Sequence, residues 1–271
     1  MHNAKRFFSF LIIAVLLLTS MGSSAKAQST VTISPEYEYQ TFKGWGTSLS
    51  WWGNAIGGWQ DTVKQGEILD LIFDDTVGLG FNVARYNIGG GDDPTHVHMR
   101  NGANLEGYQP EPGVWNYSAD ATQRLILNEA IERGVNIVEG FAKTPPHWMT
   151  YSGCSAGNTN GTSNLKPEYY DDFAAYLADV YLLFKDTYGI TFDSISPINE
   201  PNGPWWEVNN RQEGCHYTQE EQNAFFKVLK ETFVAKGLSD VTLAGPEGFE
   251  FNSTLSSWNS YDSNAKASID K

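Results

Sequence analysis

Apolar residues recur along this chain in two alternating rhythms. Short runs rich in β-branched and aromatic residues, near 44–50, 81–88, 135–142, 192–199 and 241–245, are separated by longer stretches with apolar positions three and four apart. The alternation predicts βα units around a parallel sheet rather than an all-β or all-α fold. The helical stretches carry start and stop signals. Thr62 and Gln65 resemble a capping box ahead of Ile68, Leu69, Ile72 and Phe73, and Gly78 and Gly80 close that segment. Asp120 precedes Leu125, Leu127 and Ile131, with a stop at Gly134. Pro167 suits the first turn of a helix through Tyr170, Phe173, Leu177, Val180, Tyr181 and Phe184 that ends at Gly189. Thr218 and Glu221 open a last helix through Phe225, Phe226, Leu229 and Phe233, closed by Gly237. Ahead of the first unit, Val31, Ile33, Tyr37 and Tyr39 alternate as in a half-buried strand, so residues 28–42 are read as an N-terminal strand of a small side sheet.

The first residues follow a different plan. Basic His2, Lys5 and Arg6 precede an apolar run over 7–18 and a small-residue segment ending Ala25-Lys26-Ala27, the three-part layout of a secretory signal peptide cleaved near Ala27. The run is shorter than the ~20 residues that span a bilayer, so an exported, soluble mature chain is expected. A net charge of −14 repels phosphate backbones and anionic lipid surfaces, which argues against nucleic-acid and membrane partners. A monomer is expected. Nine Trp and thirteen Tyr supply flat apolar faces of the kind sugar rings stack on, although many such rings simply fill a core. Cys154 and Cys215, in an exported chain, suggest a disulfide; closing that loop would stabilise by roughly 4 kcal/mol in the chain-entropy model. Two unpaired buried thiols are the alternative.

The candidate chemistry lies where strands end. Ser196-Pro197-Ile198-Asn199-Glu200-Pro201 places a carboxyl at a strand-to-loop junction, which in a barrel faces the mouth. Glycoside hydrolysis needs one carboxylic acid to protonate the leaving oxygen and a second carboxylate to attack, about 5–5.5 Å away in retaining enzymes. Glu200 fits the first role, and Asn199 can hydrogen-bond the neighbouring sugar hydroxyl. Strand alternation puts Arg85 and Asn87 on one face, where Arg85 either holds the attacking carboxylate ionised or makes a structural ion pair. Trp148 and Trp205 are read as stacking platforms in long loops, and Trp51 joins them as a substrate-binding candidate. Glu247 closes the fifth strand and is read as a polar cleft residue or a purely structural one, not the nucleophile. His96 and His98 stand near Asp92 and Asp93, but further ligands at suitable spacing are not evident, so no metal is expected.

Gly44 to Leu49, Arg85 to Gly91, Thr144 to Met149, Ile198 to Pro201 and Gly245 to Glu247 together resemble the motif set of glycoside hydrolase family 30, and are most similar to its endo-β-1,6-galactanase-like branch. The resemblance implies a (β/α)8 TIM barrel with an attached β-sandwich, retaining hydrolysis of a β-linked glycan without a cofactor, and Glu200 as general acid/base after strand four. The family's nucleophile is a Glu at the end of strand seven. Only five strand–loop units are visible over 43–271, so a truncated barrel lacking the nucleophile, and hence an inactive chain, is expected. The competing readings are a non-catalytic carbohydrate-binding protein and a family 30 barrel acting on xylan, β-glucan or glucosylceramide.

Overall fold

The computed structural model describes residues 30–271. The signal peptide expected over 1–27 lies outside the described residues. Residues 30–42 belong to a unit separate from 43–271 and contain a turn at Ser34–Tyr37 but no strand. Val31, Ile33, Tyr37, Tyr39 and Phe42 are all exposed there. Over the described residues 30–42 no strand is formed: the alternation is present, but a strand exists only when its backbone groups pair with another.

In the larger unit the five expected strands all appear, somewhat shorter than their apolar runs. They are β1 (Gly46–Ser48), β2 (Val83–Ile88), β3 (Ile137–Ala142), β4 (Ser194–Ser196) and β5 (Thr242–Leu243). Each pairs in parallel with the next, in the order β1-β2-β3-β4-β5. Five consecutive parallel staves, each followed by helix, are an arc of a (β/α)8 barrel. The register aligns Arg85 with Glu139 and Asn87 with Phe141, and Glu139 and Phe141 with Ser194 and Ser196, so these polar-rich positions share one face. Ala84, Tyr86, Ile88, Val138, Ile195 and Leu243 occupy the opposite, fully apolar face and are buried.

Against that apolar face pack α2 (Thr62–Phe73), α3 (Ala121–Glu132), α4 (Tyr170–Leu183) and α5 (Gln219–Ala235). Phe173 of α4 stacks on Phe225 of α5 with ring centroids 5.2 Å apart, and Phe184 and Phe192 meet at 4.8 Å. The capping box Thr218/Glu221 on α5 is formed as its spacing suggested. The one proposed for α2 is not: Asp61 is the cap, its carboxylate accepting from the Lys64 N–H, because a carboxylate one residue upstream satisfies the free donors better than Thr62. Three short helices were not legible: α1 (Trp52–Gly57), α6 (Phe251–Ser260) and α7 (Ser263–Ser268). Glycine-rich α1 has poor intrinsic propensity, and tertiary packing overrides it. Gly57 lies so close to α3 that a Cβ there would sit 2.2 Å from the Thr122 carbonyl oxygen. Among the described residues no helix is long and apolar enough to cross a membrane.

Candidate active site

The C-terminal ends of β2, β3, β4 and β5 bring most of the expected site residues together. Glu200, half-buried, follows β4 with φ 50°, in the left-handed region that few non-glycine residues adopt. Its surroundings hold it there. The Glu200 N–H donates to the Glu247 carbonyl at 2.7 Å, tying the β4 and β5 ends together. Its own carbonyl accepts from Gly203 N–H at 2.9 Å and from the Trp206 indole N–H at 2.8 Å. Trp206 is fully buried in a socket walled by glycines: a Cβ on Gly214 would fall 2.0 Å from the indole. A backbone strained in this way persists only when its neighbours over-determine it, a pattern that concentrates at functional sites.

Beside it, Arg85 reaches from β2 across the sheet. Its Nη2 lies 2.5 Å from Glu247 Oε2, and its two terminal nitrogens lie 3.4 and 3.5 Å from Asn199 Oδ1. The guanidinium carbon stands 3.5 Å over the Phe141 ring. The polar face of the sheet thus joins Arg85, Asn199 and Glu247 into one constellation, of which Arg85 and Glu247 line a cavity of about 250 Å³ together with Ser194, Ser196 and Gly245. Arg85 makes its ion pair with Glu247, which also lines the cavity.

Several expected ligand-facing residues are used differently. Asn87 is fully buried, and its Nδ2 donates to Glu213 Oε2 at 3.0 Å, so it faces an interior carboxyl rather than a cleft. Glu213 escaped the sequence reading because it stands in a loop with no strand-end signal. Burial pushes its carboxyl well up from the ordinary range, and burial pushes the nearby Lys143 ammonium down. Trp51 is engaged by two cations, with the Arg100 guanidinium 3.6 Å and Lys143 Nζ 4.4 Å from its ring centroid. Trp148 packs edge-on against Tyr169 and donates its indole N–H to the Gln109 carbonyl at 2.9 Å, which makes it a brace between two loops. Trp205 is 40 % exposed and pairs with Phe249 at 4.9 Å, an open aromatic surface.

The expected disulfide is absent: Cys154 and Cys215 are free and buried. Gly214 N–H does reach Ser155 O at 2.9 Å, so the two loops are neighbours, but each sulfur has its own surroundings. Cys215 Sγ lies by the His216 carbonyl, and burial pushes its thiol up to about 12. Cys154 Sγ lies 3.4 Å from His98 Nε2. The absence of further ligands near His96 and His98 is corrected as well. Asp92, His96, His98 and Cys154 bring one donor atom each within 4.8 Å of one another. Sequence spacing missed this because Cys154 arrives from the loop after β3, whereas the others follow β2.

A family model described as O-glycosyl hydrolase family 30 matches residues 28–267. An endo-beta-1,6-galactanase of Hypocrea rufa is 30% identical over 277 residues, covering 94% of this chain and 57% of that protein, so the chain spans little more than half the length of this relative. A conserved exported protein from Bacteroides fragilis superimposes with a TM-score of 0.73 at 26% identity, over 80% of this chain and 46% of that one. The catalytic domain of xylanase C from Talaromyces cellulolyticus superimposes with a TM-score of 0.64 at 20% identity, over 88% and 54% of the two chains, and supports the fold.

Proposed function

Because the chain belongs to O-glycosyl hydrolase family 30, we propose that it carries the acid/base side of a retaining glycosidase acting on β-linked glycans, with Glu200 as the proton donor and β-1,6-linked galactan as the favoured substrate. The observation that carries this reading is the backbone of Glu200, held left-handed by Glu247, Gly203 and Trp206 beside the Arg85–Asn199–Glu247 constellation. Arg85 draws the Asn199 carbonyl oxygen toward itself, which leaves the amide NH2 as the end that a sugar hydroxyl next to the anomeric carbon would meet. Trp205 and Phe249 supply an apolar surface for a sugar further along the chain. Galactan is favoured by the Hypocrea relative, and xylan is the second reading, favoured by the xylanase of the same fold.

In this mechanism Glu200 gives its proton to the glycosidic oxygen as the bond breaks, and then, as a carboxylate, takes a proton from the water that releases the sugar. The attacking carboxylate belongs by resemblance to a Glu at the end of a seventh strand, so the role of Glu200 is tested in a chain that carries both groups. The N-terminal residues point to export. In such a chain, Glu200→Gln is expected to lower turnover of unactivated β-1,6-galactan by on the order of 10²–10⁴. Undiminished hydrolysis would refute the assignment, and undiminished binding of oligosaccharide with no turnover in either chain would favour a carbohydrate-binding protein.

A further inference from the structure

The four donors gathered behind the rim form a set that the glycosidase chemistry does not use. Asp92, His96 and His98 follow β2, Cys154 follows β3, and all four lie on loops. We propose that Asp92, His96, His98 and Cys154 bind a zinc-class divalent cation that clasps the rim loops together.

Three of the donors already stand at the corners of a coordination tetrahedron. Cys154 Sγ, His98 Nε2 and Asp92 Oδ2 are separated by 3.4, 3.2 and 3.8 Å. A tetrahedral zinc ion with ordinary bond lengths sets its ligands about 3.3–3.6 Å apart. The fourth donor is His96 Nδ1, 3.1 Å from Asp92 Oδ1. That nitrogen is shut off from solvent yet makes no aligned hydrogen bond, a state that costs free energy unless something with positive charge or a proton meets it.

The groups behind the donors are arranged to present them. His98 Nδ1 lies 2.5 Å from the Asn210 carbonyl, so this nitrogen carries the proton and Nε2 offers its lone pair to the cluster. The Asp92 side chain is 1 % exposed, and its Oδ1 accepts the Ser155 N–H at 2.9 Å, which leaves Oδ2 facing His98 and Cys154. Cys154 Sγ accepts the Ala156 N–H at 3.4 Å, a bond that holds the sulfur beside His98 and Asp92. Two imidazoles, a thiolate and a carboxylate are a donor set suited to zinc rather than to calcium or magnesium, and four protein ligands close the site to substrate.

The consequence is mechanical. Asn210 belongs to the loop after β4, and Arg100 N–H donates to Arg211 O at 3.0 Å in the same region, so the cation would pin the loops following β2, β3 and β4 to one another. The last of these carries Trp206, which holds the Glu200 carbonyl.

The test uses the full chain purified without chelator, followed by metal analysis and by titration of the chelator-treated protein with Zn²⁺ and Co²⁺. One equivalent of Co²⁺ is expected to bind with a near-ultraviolet thiolate-to-cobalt charge-transfer band. Cys154→Ser is expected to abolish the band, and His98→Ala and the milder His96→Ala to weaken Zn²⁺ binding by roughly 100-fold, at or beyond the upper end of what losing a mere supporting partner costs. The wild-type spectrum decides the matter even if a variant fails to fold. Less than one equivalent bound, a cobalt complex without the thiolate band, unchanged affinity in the variants, or a Cys154–Cys215 disulfide in the purified chain would each overturn the proposal.

Discussion

At the scale of single residues, the account turns on how a carboxyl at a strand end is held. Glu200 is fixed through its backbone, whereas Arg85 is fixed through its side chain: a planar fork that spans Asn199 and Glu247 while lying on Phe141. A lysine cannot reproduce that fork or the stacking. Arg85→Lys is expected to lower kcat/KM on β-linked glycan about tenfold or more, equivalent to about 1.4 kcal/mol of transition-state stabilisation, with little change in Tm. Steady-state kinetics beside a melting curve checks this, and unchanged kinetics would remove Arg85 from the site. Arg85 and Asn199 were legible in the sequence because alternation along a strand and position at its end are local properties. The destination of Asn87 was not, since its partner Glu213 stands 126 residues away in a loop whose path only tertiary structure defines.

At the scale of elements, the helix signals were most readable where a cap and an amphipathic stripe agree. The Thr218–Glu221 capping box is such a case, and Thr218→Ala is expected to cost about 1 kcal/mol of stability, readable as a lower denaturant midpoint with an unchanged slope. A midpoint that does not move would show the cap to be dispensable. The short helices at 52–57, 251–260 and 263–268 lie beyond such reading, because packing rather than propensity holds them. The loop after β4 presents the opposite situation: no regular structure, but a fully buried Trp206 in a glycine-walled socket. Gly214→Ala places a methyl inside the indole's volume, and it is expected to lower activity more than it lowers Tm if the socket's purpose is to hold Glu200. A pure stability loss, with kcat intact at low temperature, would argue against that purpose.

For the molecule as a whole, the parallel order of five strands followed directly from the alternation of short and long apolar segments, while the described residues 30–42 alternate in the same way without forming a strand. Periodicity reports what a segment could pair with, and pairing requires the partner. The core also carries a global pH signature. Asp120 is buried between the Tyr86 hydroxyl and Gln123, and burial raises its carboxyl from 3.8 to about 7. The folded chain therefore holds a proton that the unfolded chain releases, so this stabilisation is complete below pH about 4 and is lost as pH rises through about 7. Asp120→Asn is expected to flatten the decline in stability between pH about 4 and about 7; an equally steep decline in the variant would assign it to other groups.

The role of Glu200 is tested most directly by product analysis of Glu200→Ala, in a chain carrying both catalytic groups, on an activated aryl β-galactoside in the presence of azide. With the proton donor gone and the attacking carboxylate intact, the glycosyl-enzyme should form and azide should intercept it, giving a β-glycosyl azide and faster turnover. An α-glycosyl azide would make Glu200 the nucleophile instead, and a rate indifferent to both the substitution and azide would contradict any catalytic role for it.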